Sequence, residues 1–540
     1  MGHDIPVIRP GWYAPLTVLL GGIAAGLVHP PFGVLPGLLG YSVILLRLET
    51  VSGPRPLRSA FAMGWLAGLG YFGLSTWWIA EPFLVDPRVY GWMAPFAVVL
   101  MAGGLSLFWG LAGLCYRALR PRSLWKVLVF AGVFAAAEWL RGHVLTGFPW
   151  NLVGESWRAG SAPSQAAALV GVYGLTWITL AVAAAPAMLM LPLRRLAQAG
   201  AMMATGVALI ALFAGGAGRL AASARTTYAA DAPVMRIVQA DIDQKEKWKP
   251  ENLDQIVRDY ARMTLSPAKQ APDVVIWPEG ALPAVIDDLI APGSPYAARL
   301  RDVLKPGQTL LMGANRVEAK ADGSWRYFNT LMALRRDDQA LRVSGFYDKH
   351  RLVPFGEFLP LGDLAGKWGI RSLVHMPEDF TPGPPPRPLK LAGLPTVQPL
   401  ICYEALFPGL ADGRERPAWI LNVSNDAWFG ANSGPWQHLN IASYRAIEQG
   451  LPIIRSTPTG VSAVIDAQGR IMPGMSLGLG KSGVIDARLP SPAAPTLYSQ
   501  FGDWLFGGLL AVSAGAWFAG RRPRHRVSPD QGQRESLGRT

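Results

Sequence analysis

Seven long apolar stretches crowd into the first 230 residues of this chain, and an eighth runs from about 502 to 520. They lie near 12–29, 33–47, 59–80, 92–116, 124–140, 165–193 and 198–218. A helix that crosses a bilayer needs roughly 20 mostly apolar residues. In lipid, only a helix or a closed barrel satisfies its own backbone. The pattern therefore predicts a polytopic helical membrane domain of about eight spans. The second stretch is short and rich in Gly and Pro. The first is expected to stay in place rather than be cleaved as a signal, because further spans follow it and no A-x-A-like site is evident.

Charge sorts along the chain in the way such a domain requires. The 540 residues carry 50 Lys and Arg against 37 Asp and Glu, a formal +13, yet only 16% are charged, where a soluble protein carries about 25%. Residues 1–230 hold net +9, residues 521–540 hold +4, and residues 231–520 balance at zero. A nucleic-acid binder clusters its basic groups on a folded face, so no nucleic acid partner is expected. The apolar content excludes disorder. With the N-terminus inside, the inner loops carry Arg47, Arg55 and Arg58, then Arg117, Arg120, Arg122 and Lys126, then Arg194 and Arg195. The outer loops carry only Arg88 and the pair Arg141 and Arg158. By the excess of Lys and Arg on cytoplasmic loops, both termini lie in the cytoplasm, with Arg521, Arg522, Arg524 and Arg526 in the tail. The segment 220–500 then lies outside, in the periplasm of a bacterial-type envelope.

Residues 231–490 follow another pattern. Short β-branched runs (Val234–Val238, Val274–Trp277, Leu310–Met312, Val397–Cys402, Trp419–Val423, Pro452–Ser456 and Ser462–Ile465) alternate with helical stretches near 251–265, 295–304 and 438–449. This alternation predicts an α/β domain with a largely buried sheet, one large domain or a two-layer sandwich. The expected division is residues 1–220 for seven helices, 221–495 for the α/β domain, 496–520 for the last span and 521–540 for an Arg-rich cytoplasmic tail.

Three residues with chemical potential stand at the ends of strand-like runs. Cys402 follows Pro399-Leu400-Ile401 and precedes Tyr403-Glu404. A strand that ends in a nucleophile and turns into a helix exposes the side chain and aims backbone N–H groups at an oxyanion. Taken alone, a buried structural cysteine is the commoner role. The other cysteine, Cys115, sits in an apolar run, so neither a disulfide framework nor a cysteine-based zinc site is expected. Glu279, in Val274-Val275-Ile276-Trp277-Pro278-Glu279-Gly280, is placed to act as a general base; its bland counterpart is an ordinary turn acid. Lys349, in Asp348-Lys349-His350-Arg351, suits an oxyanion donor or a partner for a thiolate, or simply a solvated basic cluster. Glu357 follows in a Pro- and Gly-punctuated loop, where it can orient Lys349 or the base. His350 and His438 lack partners at metal-ligand spacing, so no metal and no cofactor is expected.

The ordered Glu279, Lys349 and Cys402 contexts resemble the Glu-Lys-Cys triad of the nitrilase, or carbon–nitrogen hydrolase, superfamily. Longer strings are similar to the apolipoprotein N-acyltransferase family. They are Trp277-Pro278-Glu279, Lys349 with Leu352-Val353-Pro354-Phe355-Gly356-Glu357, Cys402-Tyr403-Glu404, Asn422-Val423-Ser424-Asn425-Asp426-Ala427-Trp428-Phe429-Gly430, and Arg141-Gly142 with Thr146-Gly147-Phe148-Pro149-Trp150. The resemblance implies an extracytoplasmic αββα sandwich on a membrane domain in the bacterial inner membrane. It implies acyl transfer from a phospholipid to the α-amine of a diacylglyceryl-modified apolipoprotein, through a thioester on Cys402, by a monomer. It further implies supporting positions at Tyr403 and Glu404, and substrate contacts at Trp248, whose loop is near the phospholipid site, and at Trp428 and Phe429 along an acyl pocket. For Glu404 a helix-start role, for Trp428 and Phe429 aromatic core packing, and for Trp248 a solvated loop stand beside these.

One departure is visible. The family commonly has two Asn before a Gly after Arg-Ser/Ala-Thr, where this chain reads Arg455-Ser456-Thr457-Pro458-Thr459-Gly460. Two other functions remain open to the sequence. A membrane-anchored amidase uses the same triad but leaves seven preceding spans without a purpose. A transporter with an extracytoplasmic domain requires polar residues inside the spans, and these hold very few away from their ends. Glu138 and Arg141, near a membrane boundary, are the exception, and form either a structural pair or a functional site.

Overall fold

The computed structural model describes residues 13–119, 121–360, 379–409 and 415–520. The Arg-rich tail at 521–540 and Arg120 lie outside the described residues. Each apolar stretch of the sequence overlaps a helix: α1 (Ala14–Gly26), α2 (Leu39–Thr50), α3 (Pro56–Ser75), α4 (Ala94–Leu119), α5 (Trp125–His143), α6 (Ala167–Ala184) and α7 (Arg195–Ala222). Pro87–Leu119, Pro163–Met190 and Arg195–Ala222 are long and apolar enough to cross a membrane. The packing uses small residues where backbones meet, as helices in lipid do. A Cβ on Gly64 of α3 would lie 2.2 Å from the Trp109 carbonyl of α4. By contrast α7 buries only Leu212 and Gly216, and turns the rest of its apolar surface outward.

The α/β domain is built from two sheets. The first has six strands in the order β11-β1-β2-β3-β4-β5: β1 (Val234–Gln239), β2 (Val274–Trp277), β3 (Thr309–Ala319), β4 (Trp325–Arg336), β5 (Leu341–Asp348) and β11 (Gly483–Arg488). The second has five, in the order β10-β9-β8-β7-β6: β6 (Val397–Ile401), β7 (Trp419–Val423), β8 (Ile453–Ser456), β9 (Ser462–Ile465) and β10 (Ile471–Leu477). β1, β2 and β3 run parallel, as do β6, β7 and β8, and the outer strands pair antiparallel. The two sheets face each other across a dry layer in which Ile237, Ile276 and Leu311 meet Ile401, Leu421 and Ile454.

Helices close both outer faces, giving four layers. Helices α8 (Leu253–Thr264) and α9 (Pro295–Val303) cover the six-stranded sheet through Ile256, Tyr260, Leu300 and Val303. Helix α10 (Ser433–Gln449) covers the five-stranded sheet through Leu439 and Ala446. Its opposite face is also buried, against the loops that follow α5 and the first turns of α6. The Tyr444 hydroxyl donates to the Trp157 carbonyl at 2.5 Å, Trp150 donates to Gln437 at 2.8 Å, and the Val172 amide donates to Glu448 at 2.9 Å. One helix therefore serves both the sandwich and the membrane helices. The chain then returns through α11 (Trp504–Ala519), where Ser513 accepts from Trp177 of α6.

Candidate active site

Strand direction brings the three sequence-singled residues to one place. Glu279 stands two residues past β2, Lys349 directly after β5, and Cys402 directly after β6. β2 and β5 run the same way, so Glu279 and Lys349 share one end of their sheet, and Cys402 meets them from the facing sheet. Gly313 on β3 makes room for this, since a Cβ there would lie 2.3 Å from the Glu279 Cα. Cys402 has φ +47°, a left-handed backbone that a side chain adopts only where the surroundings hold it.

Lys349 Nζ lies 3.3 Å from Glu279 Oε1 and 2.9 Å from Glu357 Oε1. A fourth residue, which the sequence did not single out, ties these acids together. Asn329 on β4 donates through its amide nitrogen to Glu279 Oε1 and to Glu357 Oε1, both at 2.7 Å. The backbone amide of Asn425 donates to Glu279 Oε2 at 2.6 Å, and that of Val353 to Glu357 Oε2 at 2.8 Å. Burial works against the Lys349 charge, but Glu279, Glu357 and Cys402 outweigh it and hold the ammonium above its ordinary range. Burial and the Glu279 charge push the Cys402 thiol up, against the pull of Lys349 and a Ser424 hydrogen bond. The resting Cys402 side chain is thus a thiol rather than a preformed thiolate.

The two residues after Cys402 hold the turn in place. Glu404 Oε1 accepts from the Tyr347 hydroxyl at 2.8 Å and from the amides of His350 at 2.8 Å and Arg351 at 3.1 Å. Its Oε2 accepts from the Ile401 amide at 2.8 Å. This carboxylate clips the Lys349 loop to the Cys402 turn. The Tyr403 hydroxyl donates to the Gly147 carbonyl at 2.5 Å, which ties the same turn to the loop after α5. Behind Cys402, His438 Nε2 sits 3.2 Å from the Cys402 carbonyl and its Nδ1 2.9 Å from Asp426 Oδ1, and Arg455 donates to Asp426 Oδ2 at 2.6 Å. Burial opposes the Asp426 charge, yet Arg455 and His438 hold the acid well below its ordinary range.

The residues expected to contact substrate divide. Phe429 packs at 4.6 Å from the Trp78 ring and 5.4 Å from that of Trp150, which seats it in the aromatic seam between sandwich and membrane helices. Trp428, its neighbour, is half-buried. Trp248 is 45% exposed, at the rim. The preceding Lys247 is buried, and its ammonium has no hydrogen-bond partner among the described residues. It lies 5.7 Å over the Trp248 ring, and a Cβ on Gly280, next to Glu279, would be 3.4 Å from its Nζ. Burial lowers this ammonium to about 8, with Glu279 pulling the other way. Asn329 went unread because β4 lacks a β-branched run; the lysines of the Trp248 loop read as suited to an anionic head group, but nothing in that string of surface-like lysines marks Lys247 as the buried one. Among the described residues, no group of three His, Cys, Asp or Glu is placed to hold a metal ion.

A four-layer α/β sandwich with this carboxylate, ammonium and thiol defines the carbon–nitrogen hydrolase class, and residues 235–494 match the family model for carbon–nitrogen hydrolase. Residues 21–185 match the model for the apolipoprotein N-acyltransferase N-terminal domain. The chain is 57% identical to the apolipoprotein N-acyltransferase of Caulobacter vibrioides over 94% of each chain. It is 38% identical to that of Bradyrhizobium diazoefficiens, over 94% of this chain and 95% of the relative. An amidase from Nesterenkonia sp. is similar at 18% identity and a TM-score of 0.34, over 52% of this chain and 97% of the amidase. The chain belongs to the apolipoprotein N-acyltransferase family.

Proposed function

We propose that this protein transfers an acyl chain from a membrane phospholipid to the N-terminal α-amine of a diacylglyceryl-cysteine apolipoprotein, through a thioester on Cys402. The observation that carries the reading is the convergence of Glu279, Lys349 and Cys402 in a chain that matches a member of this family over 94% of its length. Glu279 takes the thiol proton as Cys402 Sγ attacks the ester carbonyl. An ammonium has three donors. Lys349 gives one to Glu279 and one to Glu357, which leaves the third for the oxyanion, with the Tyr403 backbone N–H beside it. The ester C–O bond breaks, the leaving oxygen takes the proton from Glu279, and lysophospholipid departs. The acceptor amine then attacks the thioester; Glu279 takes its proton and returns it to the departing sulfur.

The same reading assigns Lys247, with Trp248 at the rim, to the anionic head group of the donor lipid. Eight spans place both termini in the cytoplasm and the sandwich in the periplasm, against the inner membrane, with the protein acting as a monomer. The division into residues 1–220, 221–495, 496–520 and 521–540 follows from that topology. Reconstitution with phospholipid and a diacylglyceryl peptide tests the reaction. N-acylated peptide and lysophospholipid are expected in equal amounts. Amide hydrolysis with the lipid intact refutes transfer.

A further inference from the structure

A cavity of about 500 Å³ opens at the seam between the sandwich and the outer ends of the membrane helices. That volume lies within the range of small-ligand sites. Its walls come from five parts of the chain, two of them the loops after β8, with Thr459, and after β10, with Leu479 and Gly480; the other three bear on the site. The Trp77–Leu84 turn after α3 gives Glu81, the segment after β1 gives Asp241, Asp243 and Gln244, and the loop after β7 gives Ala427 and Gly430. Two of these walls reach the catalytic centre. Asn425, two residues before Ala427, holds Glu279 by its amide, and Lys247, three residues after Gln244, abuts Gly280.

Gln244 is the unusual member. It is only 8% exposed, yet neither its Nε2 nor its Oε1 has a hydrogen-bond partner among the described residues. Leaving a buried amide unmet costs about 1–3 kcal/mol for each group, so the position calls for a ligand. An unmet donor and an unmet acceptor on one side chain are the complement of a peptide group. The three carboxylates around it add a second preference. Glu81 accepts from Asn432, and Asp243 accepts from the Lys245 amide. Asp241 is exposed and has φ +54°. Burial and the adjacent Asp243 raise its acid, against Lys481. On the lining these three carboxylates outnumber the single ammonium, that of Lys245, so a cationic group is favoured there.

We propose that this cavity seats the acceptor's peptide segment, the polar residues that follow its lipidated cysteine, with Gln244 paired to a peptide group and Glu81, Asp241 and Asp243 favouring a cationic residue. The assignment rests on the acyl-transfer reading above. Its location fits that acceptor, whose acyl chains lie in the bilayer while its peptide runs outward past the seam.

The two half-reactions separate this role from others. Acyl-enzyme formation is followed with vesicles of phosphatidylethanolamine or phosphatidylglycerol. Transfer is then followed with diacylglyceryl peptides that carry Lys-Lys or Glu-Glu after the cysteine. Gln244→Leu is expected to keep the rate of acyl-enzyme formation and to raise the acceptor KM about tenfold. Asp241→Asn, at an exposed site where Asn tolerates the left-handed backbone, is expected to reduce the preference for the Lys-Lys peptide. An unchanged acceptor KM in Gln244→Leu together with an unchanged peptide preference in Asp241→Asn overturns the proposal. So does slower acyl-enzyme formation confined to the ethanolamine donor, which makes the cavity a head-group site. A wild-type protein that forms no acyl-enzyme overturns the reaction itself, and this assignment with it.

Discussion

The Lys349 ammonium stands closer to Glu357, at 2.9 Å, than to Glu279, at 3.3 Å. The acid assigned to proton transfer is therefore not the one that chiefly anchors the lysine. This division leaves Glu279 able to gain and lose a proton while Lys349 keeps its charge and position. Glu357→Gln is expected to slow Cys402 acylation about tenfold, the scale of one charge-assisted hydrogen bond. Glu279→Gln removes the base and is expected to cost ~10²–10⁴-fold. Single-turnover acylation of the two variants measures the contrast.

Asn329 links the two acids through one amide nitrogen. Asn329→Leu leaves both carboxylates short of a buried donor, a cost of about 1–3 kcal/mol. Asn329→Asp puts a third negative charge between them and is expected to slow acylation further. Acylation rates, with a denaturant midpoint for each variant, separate the chemical effect from the loss of stability.

Lys247 gives a pH signature. Its ammonium falls from an ordinary value of 10.5 to about 8 in the folded protein. Between those values the unfolded chain binds more protons, so stability rises with pH. Below about 8 the penalty for the buried charge is fully present. Lys247→Met is therefore expected to be more stable than the wild type at pH 7, with the gap closing as the pH approaches 10.5. Thermal midpoints at several pH values check this, and slower acylation by the same variant is expected if Lys247 meets the donor's phosphate.

Arg141 and Glu138 form a fully buried ion pair. Arg141 also donates to the carbonyls of Phe148, at 2.5 Å, and Trp150, at 3.0 Å, so it fixes the loop on which Tyr403 rests. Arg141→Leu strands a buried carboxylate and is expected to cost roughly 3–5 kcal/mol. Adding Glu138→Gln removes that charge and is expected to recover part of the loss, as thermal unfolding in detergent will show.

The sequence announced the parts of this molecule that are dry on every side. β2, β7 and β9 are mostly apolar runs buried along their length, so their bounds were readable to the residue. β4 and β5 were not, because they form a hairpin with exposed positions and charged ends at Arg335, Arg336 and Arg342. β10, with Pro473 and Gly474, has no buried residue. Asn329 was hidden with β4, since a single polar residue acquires meaning only when its register beside Lys349 is known. Glu279 and Cys402 were legible because each follows an abrupt change from a buried strand to a turn, and Lys349 through the string Asp348-Lys349-His350-Arg351 rather than through β5. The burial of both faces of α10 was not, because its polar face meets loops some 280 residues away in sequence.

The central claim is that Cys402 carries the acyl chain. Intact-protein and peptide mass spectrometry after incubation with phospholipid, without acceptor, tests it most directly. The account predicts one added acyl chain on the Cys402 peptide, released by hydroxylamine, transferred on addition of diacylglyceryl peptide and absent from Cys402→Ala. Acyl transfer that persists in Cys402→Ala, or a chain carried on another residue, would contradict it.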